Sequence, residues 1–115
     1  MWVFTETGFV SAVQEYKNKD QLVVRARDGE SLMPLAKITG KIISHTPDRD
    51  YPYRLEEVSK SDFILFLMQT VDVIEYRNFK TQVHATRGKE YASALGKVWS
   101  VMHDVEDYEA RRYIR

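Results

Sequence analysis

Cysteine is absent from the 115 residues of this chain, which removes disulfides, iron–sulfur clusters, zinc ribbons and thiol nucleophiles together. Long apolar runs are missing as well. The longest, Phe63 to Met68, has six residues, against the roughly 20 that a helix needs to cross a bilayer. Met1 to Thr5 is apolar but lacks the basic start and the roughly 7–15 apolar residues of a signal peptide, so a cytoplasmic protein is expected. There is no nucleophile elbow, no phosphate-binding glycine loop and no His-Glu-x-x-His pair. With 5 glycines, 3 prolines and no low-complexity tract, linker or repeat period, a single domain is expected. A domain of this length buries roughly 60–70% of its unfolded surface. An excess of one charge is lacking too: 17 basic side chains balance 17 acidic ones, which argues against affinity drawn from a strongly basic whole-molecule field.

What charge there is lies unevenly. From Tyr76 to Lys97, five basic residues (Arg77, Lys80, Arg87, Lys89 and Lys97) oppose Glu90 alone. From Val98 to Ala110, Asp104, Glu106, Asp107 and Glu109 stand without any Lys or Arg, and Arg111, Arg112 and Arg115 end the chain. Such blocks form solvated faces, match one another within a molecule, or meet a neighbour. The neutral total therefore leaves a local anion-binding face open.

Trp2–Thr5 and Phe9–Gln14, rich in aromatic and β-branched residues, flank Glu6-Thr7-Gly8 and predict a hairpin. Alternation over Leu22–Arg27 adds a strand with Arg25 and Arg27 on its wetter face. Ser31 is placed to cap a short helix bearing Leu32, Leu35, Ala36 and Ile38, with Pro34 in its first turn and Gly40 as its stop. Lys41–Ser44 and Tyr53–Val58 read as strands around the loop Thr46–Pro52. Ser59 and Asp62 fit a capping arrangement for a helix carrying Phe63, Phe66, Leu67, Thr70 and Ile74. Tyr76–Val83 continues it, and after a break near Thr86-Arg87-Gly88 a last helix covers Lys89–His103. The order ββ-β-α-β-β-α-α-α predicts an α+β fold, an antiparallel sheet of about four or five strands with helices on one face. The expected domain covers residues 1–104, and 105–115 form a charged tail. Trp2, Phe4, Phe9, Phe63, Phe66, Phe79 and Trp99 are expected in the core.

Three constellations carry chemistry. His103 with Asp104 and Asp107 places a nitrogen and carboxylates on neighbouring helical positions, too few ligands to predict a metal, and no cofactor is expected. Asp48, Asp50, Tyr51, Tyr53 and Arg54 around Pro47 and Pro52 suit either acid–base work or, more commonly, a rigid turn that uses aspartates for local hydrogen bonds. The third is basic and aromatic: Arg25, Arg27, Tyr51, Tyr53 and Arg54, joined by Lys80 and His84 if the helix bearing them approaches the strand face. That is the composition of phosphate or single-strand sites, and arginines paired with glutamates across an open sheet look the same in sequence. In the tail, Tyr108, Arg112 and Tyr113 are candidate contacts for a partner or a second copy of the chain, set against simple fraying.

The strings Met1-Trp2-Val3-Phe4-Thr5, Gly8-Phe9-Val10-Ser11, Val24-Arg25-Ala26-Arg27, Asp50-Tyr51-Pro52-Tyr53-Arg54, Tyr76-Arg77-Asn78-Phe79-Lys80 and Val98-Trp99-Ser100-Val101-Met102 together resemble a group of small bacteriophage and bacterial proteins without assigned activity. The resemblance spans most of the chain and implies a phage or bacterial cytosolic setting, but no mechanism. Arg77 departs from the group's pattern. The leading expectation is a non-enzymatic module that binds a protein partner through the basic-aromatic face or the tail. Nucleic-acid or nucleotide binding by that face is the alternative, and a small hydrolase or nuclease using Asp48, Asp50 and a tyrosine or histidine comes third.

Overall fold

The structure, a computed structural model, describes residues 1–113, the last by its backbone alone. Trp2–Thr5 (β1) turns through Glu6 and Thr7 into Gly8–Gln14 (β2), which pairs with Gln21–Ala26 (β3). Ser44–His45 (β4) and Tyr53–Ser59 (β5) form a second antiparallel pair, and β5 docks against β3. The result is the expected α+β fold on a five-stranded antiparallel sheet of order β1-β2-β3-β5-β4.

Two strands differ from the pattern read in the sequence. The strand expected over Lys41–Ser44 shrinks to Ser44–His45: Ile43 alone of Lys41–Ile43 packs against the core, and Ile42 is 92% exposed. In β5 the register shifts between Leu22 and Val24 of β3, so Val23 faces both Glu56 and Glu57, and Glu57 takes φ 54°. That bulge lets Leu55 and Val58, three residues apart, both point into the core.

Met33–Thr39 (α1) follows a 3-10 turn at Glu30–Leu32 and stops at Gly40, whose φ of 70° is left-handed. Ser31 does not cap this helix; its amide donates to Asp28 Oδ1 at 3.1 Å, so Asp28 supplies the turn-closing oxygen. Lys60–Asp72 (α2) begins at the Ser59 hydroxyl, which accepts the Asp62 amide at 3.1 Å. Ile74 falls beyond its end. The next helix does not begin at Tyr76, since Asn78 accepts the Thr81 amide at 2.9 Å and starts Phe79–Arg87 (α3). Gly88, at φ 90°, separates α3 from Lys89–Val101 (α4), and Met102 alone separates α4 from His103–Tyr113 (α5). The charged end is thus helical up to Tyr113, where a tail was expected.

Val10, Ala12, Val24, Ala26, Leu55 and Val58 of the sheet meet Leu32, Leu35, Phe63 and Phe66 in the core. Full burial of each large side chain contributes about 1.5–3 kcal/mol. Helices α1 and α2 take this one face, and Trp2, Phe4, Arg25 and Arg54 point to the other. Of the aromatics expected inside, only Phe63 and Phe66 are buried. β1 is an edge strand whose inward side carries only Val3 and Thr5, so Trp2 is 68% exposed, and Phe79 and Trp99 face a groove between α3 and α4. No helix among the described residues is long and apolar enough to cross a membrane.

Candidate functional site

Register brings five residues into one row across the face that lacks helices. Trp2 stands opposite Ser11, Ser11 opposite Arg25, Arg25 opposite Arg54, and Arg54 opposite Ser44. At strand spacing the row runs about 19 Å. Beside it Phe4 pairs with Phe9 and stacks on it at 4.5 Å, while Trp2 meets Phe9 edge-on at 5.7 Å and Tyr51 lies 6.4 Å from Phe9. An aromatic patch therefore borders a pair of guanidinium groups.

The cations are arranged unequally. Arg25 and Arg27 both lie over the Tyr51 ring, at 4.5 and 4.4 Å from its centroid, and Tyr51 is buried beneath them. Its ring spaces the arginines and is closed to a ligand. Arg27 is neutralised by Asp50, whose Oδ1 accepts its Nη1 at 2.9 Å; that hydrogen bond raises the Arg27 pKa above its ordinary value. Arg25 donates to Ser11 Oγ at 2.9 Å, and its Nε is enclosed without a partner. The Nε of Arg54 is enclosed likewise. Burial first, then the charges of Arg49 and Arg25, pull the Arg54 pKa below its ordinary value, with Glu56 opposing. Like charges directly opposite on a sheet repel, so Arg25 and Arg54, which make no ion pair among the described residues, form a positive centre that Glu56 offsets only in part.

Not every residue of the basic-aromatic group joins this face. Tyr53 pairs with Ala26 and packs on the core side, stacked on His45 at 4.3 Å. Lys80 and His84 sit with Arg77 and Thr81 around a separate cavity of about 290 Å³ on α3. Among the described residues no hydrogen bond, ion pair or ring contact joins either of them to Arg25, Arg27 or Arg54. Asp50 is engaged by Arg27 and Tyr51 is covered, so the loop aspartates and tyrosines do not gather into an acid–base site. His103 Nδ1 lies 2.7 Å from Glu106 Oε2, and no group of His, Asp and Glu able to hold a metal occurs among the described residues. Tyr108 and Arg112 are exposed on α5, whereas the side chain of Tyr113 lies outside the described residues.

Sequence reasoning missed one cluster altogether. The Arg87 side chain, 6% exposed, gives Nη2 to Asp28 Oδ2 at 2.6 Å and Nη1 to the Thr7 carbonyl at 2.8 Å, and it covers the Tyr91 ring at 3.8 Å. Its Nε is 3.2 Å from Glu30 Oε2 without the alignment of a hydrogen bond. The Ser31 hydroxyl donates to Asp28 Oδ1 at 2.6 Å and accepts the Phe9 amide at 3.3 Å. Burial alone would raise the Asp28 pKa, but the hydrogen bonds from Ser31 and Arg87 outweigh it and hold it below the ordinary value. These contacts pin α3 and α4 to the first hairpin. Nothing in the spacing of Asp28 and Arg87, 59 residues apart, marks the pair. The clustered bonds around Ser31 make it a structural clamp.

The comparisons with protein families, with curated proteins and with solved structures find no match for this chain.

Proposed function

We propose that the chain binds a single-stranded nucleic acid across its open sheet face. The observation that carries this reading is the register pair Arg25–Arg54 at the centre of the row, two half-buried arginines that make no ion pair among the described residues and whose Nε atoms find no hydrogen-bond partner, beside an exposed aromatic patch. Phosphates supply the missing anion, and Trp2 and Phe4 offer ring faces to bases. Arg27 and Tyr51 hold the geometry.

Fluorescence anisotropy with short labelled oligonucleotides at low and moderate salt tests this. Binding is expected to weaken with salt, and Arg25→Gln or Arg54→Gln to flatten the log–log salt slope by about 0.7 each. Trp2→Ala is expected to lose about 1–3 kcal/mol, the worth of one stacked base. Arg54→Gln carries a second signature: it relieves repulsion with Arg25, so affinity falls while Tm holds or rises. Absence of binding at low salt defeats the reading. The protein-partner reading then takes its place, favoured by the exposed apolar stripe Ile64, Met68 and Val71 on α2.

A further inference from the structure

Helix α5 packs on no element but the end of α4 among the described residues. Every residue from Lys97 to Arg112 is exposed, and at 11 residues α5 is shorter than the roughly 12–15 at which an isolated helix becomes even marginal in water. Its surface is nonetheless amphipathic. Val105 and Tyr108 continue the line of Val101 at helical spacing, 53%, 59% and 63% exposed respectively, and Asp104, Glu106, Asp107 and Glu109 surround that line.

A complementary surface lies close by. Between α3 and α4 runs a cavity of about 620 Å³ lined by Phe79, Val83, Leu95 and Trp99, with Lys80 and Lys97 in its walls. Trp99 is 70% exposed and Phe79 42%. The groove is thus apolar with basic groups, and α5 is apolar with a net acidic surface on which Asp104, Glu106, Asp107 and Glu109 outnumber Arg111 and Arg112. The two cannot meet within one chain: Met102 alone joins α4 to α5, whereas an antiparallel return takes about 2–5 residues.

We infer that two copies of this chain pair reciprocally, each laying α5 in the α3–α4 groove of the other. Exchange of identical elements closes a twofold dimer with no surface left to propagate. The sheet face stays outside this contact, so the inference stands or falls independently of nucleic-acid binding.

Sedimentation velocity over a protein concentration series tests it. The wild-type chain is expected to dimerise, with a dissociation constant that rises with salt. Val105→Asp on α5 and the double substitution Lys80→Glu with Lys97→Glu in the groove are each expected to raise it about tenfold or more. All three positions are exposed, and wild-type hydrogen-exchange protection of β2, β3 and β5 shows that the variants fold. A wild-type chain that stays monomeric into the high micromolar range overturns the inference. So does a dimer that neither variant weakens, which would place the contact elsewhere, such as on α2. Amide protection of α5 in dilute, monomeric protein overturns it too, because the groove would then hold its own helix.

Discussion

Gly8 shows how much a single residue can decide here. It takes φ 147°, and a Cβ there would stand 2.1 Å from Ser31 Oγ and 2.8 Å from Arg87 Nη1. Neither neighbour can give way, because Ser31 is held by Asp28 and Arg87 by Asp28 and Thr7. Gly8→Ala is therefore expected to destabilise the chain by about 1–3 kcal/mol as overpacking, read as a lower urea midpoint at unchanged slope. A midpoint equal to the wild type would show that the clamp is not tight. In the sequence Gly8 was legible only as a turn residue; its close approach depends on Arg87, 79 positions later, which no local pattern reports. Arg25 was legible because strand alternation puts it opposite Val24 and Ala26. The same period separates Tyr53 from its neighbour Arg54, so the misplacement of Tyr53 came from grouping by composition where parity already decided.

Element ends follow the same division between local and distant causes. Ser59, Gly40 and Asn78 act within their own turns, and the first two were readable as signals. The bulge at Glu57 and the shortening of β4 depend on neighbouring elements and left no periodic trace. The attachment of α3 to the turn after β3 is likewise tertiary, and it depends on pH. Asp28 has a folded pKa below its ordinary value, so its contribution is complete above the unfolded value of about 3.9 and is lost as pH falls through the folded one. Asp28→Asn removes the linkage. The stability gap between wild type and variant, from urea unfolding at stepped pH, is expected to stay constant from about pH 7 to about pH 5 and to shrink below about pH 4. A gap that persists undiminished at the acid end would assign the docking to packing alone.

Across the whole molecule stability is distributed as unevenly as charge. The core lies in β2, β3, β5, α1 and α2, whereas from Val73 to Arg112 only Gln82, Val83 and Ala92 are buried. The helices α3 to α5 are thus an arm on the sheet, held at its root by Arg87 and Tyr91, in a molecule extending 49 × 34 × 30 Å. The fold class was legible because strands and helices come in runs along the sequence; this division was not, since apolar periodicity in α4 looks alike whether it faces a core or an open groove. Regions with few buried contacts open below the global unfolding free energy. Amides of α3 and α4 are therefore expected to exchange through cheaper openings than those of β2, β3 and β5. Arg87→Ala should lower the cost of opening the arm by at least as much as it lowers that of the sheet. Uniform protection across arm and sheet in native-state hydrogen exchange would mean one cooperative unit. In that case the clamp would be one contact among many, because the α3–α4 packing around Val83 and Ala92 would already couple the arm to the core.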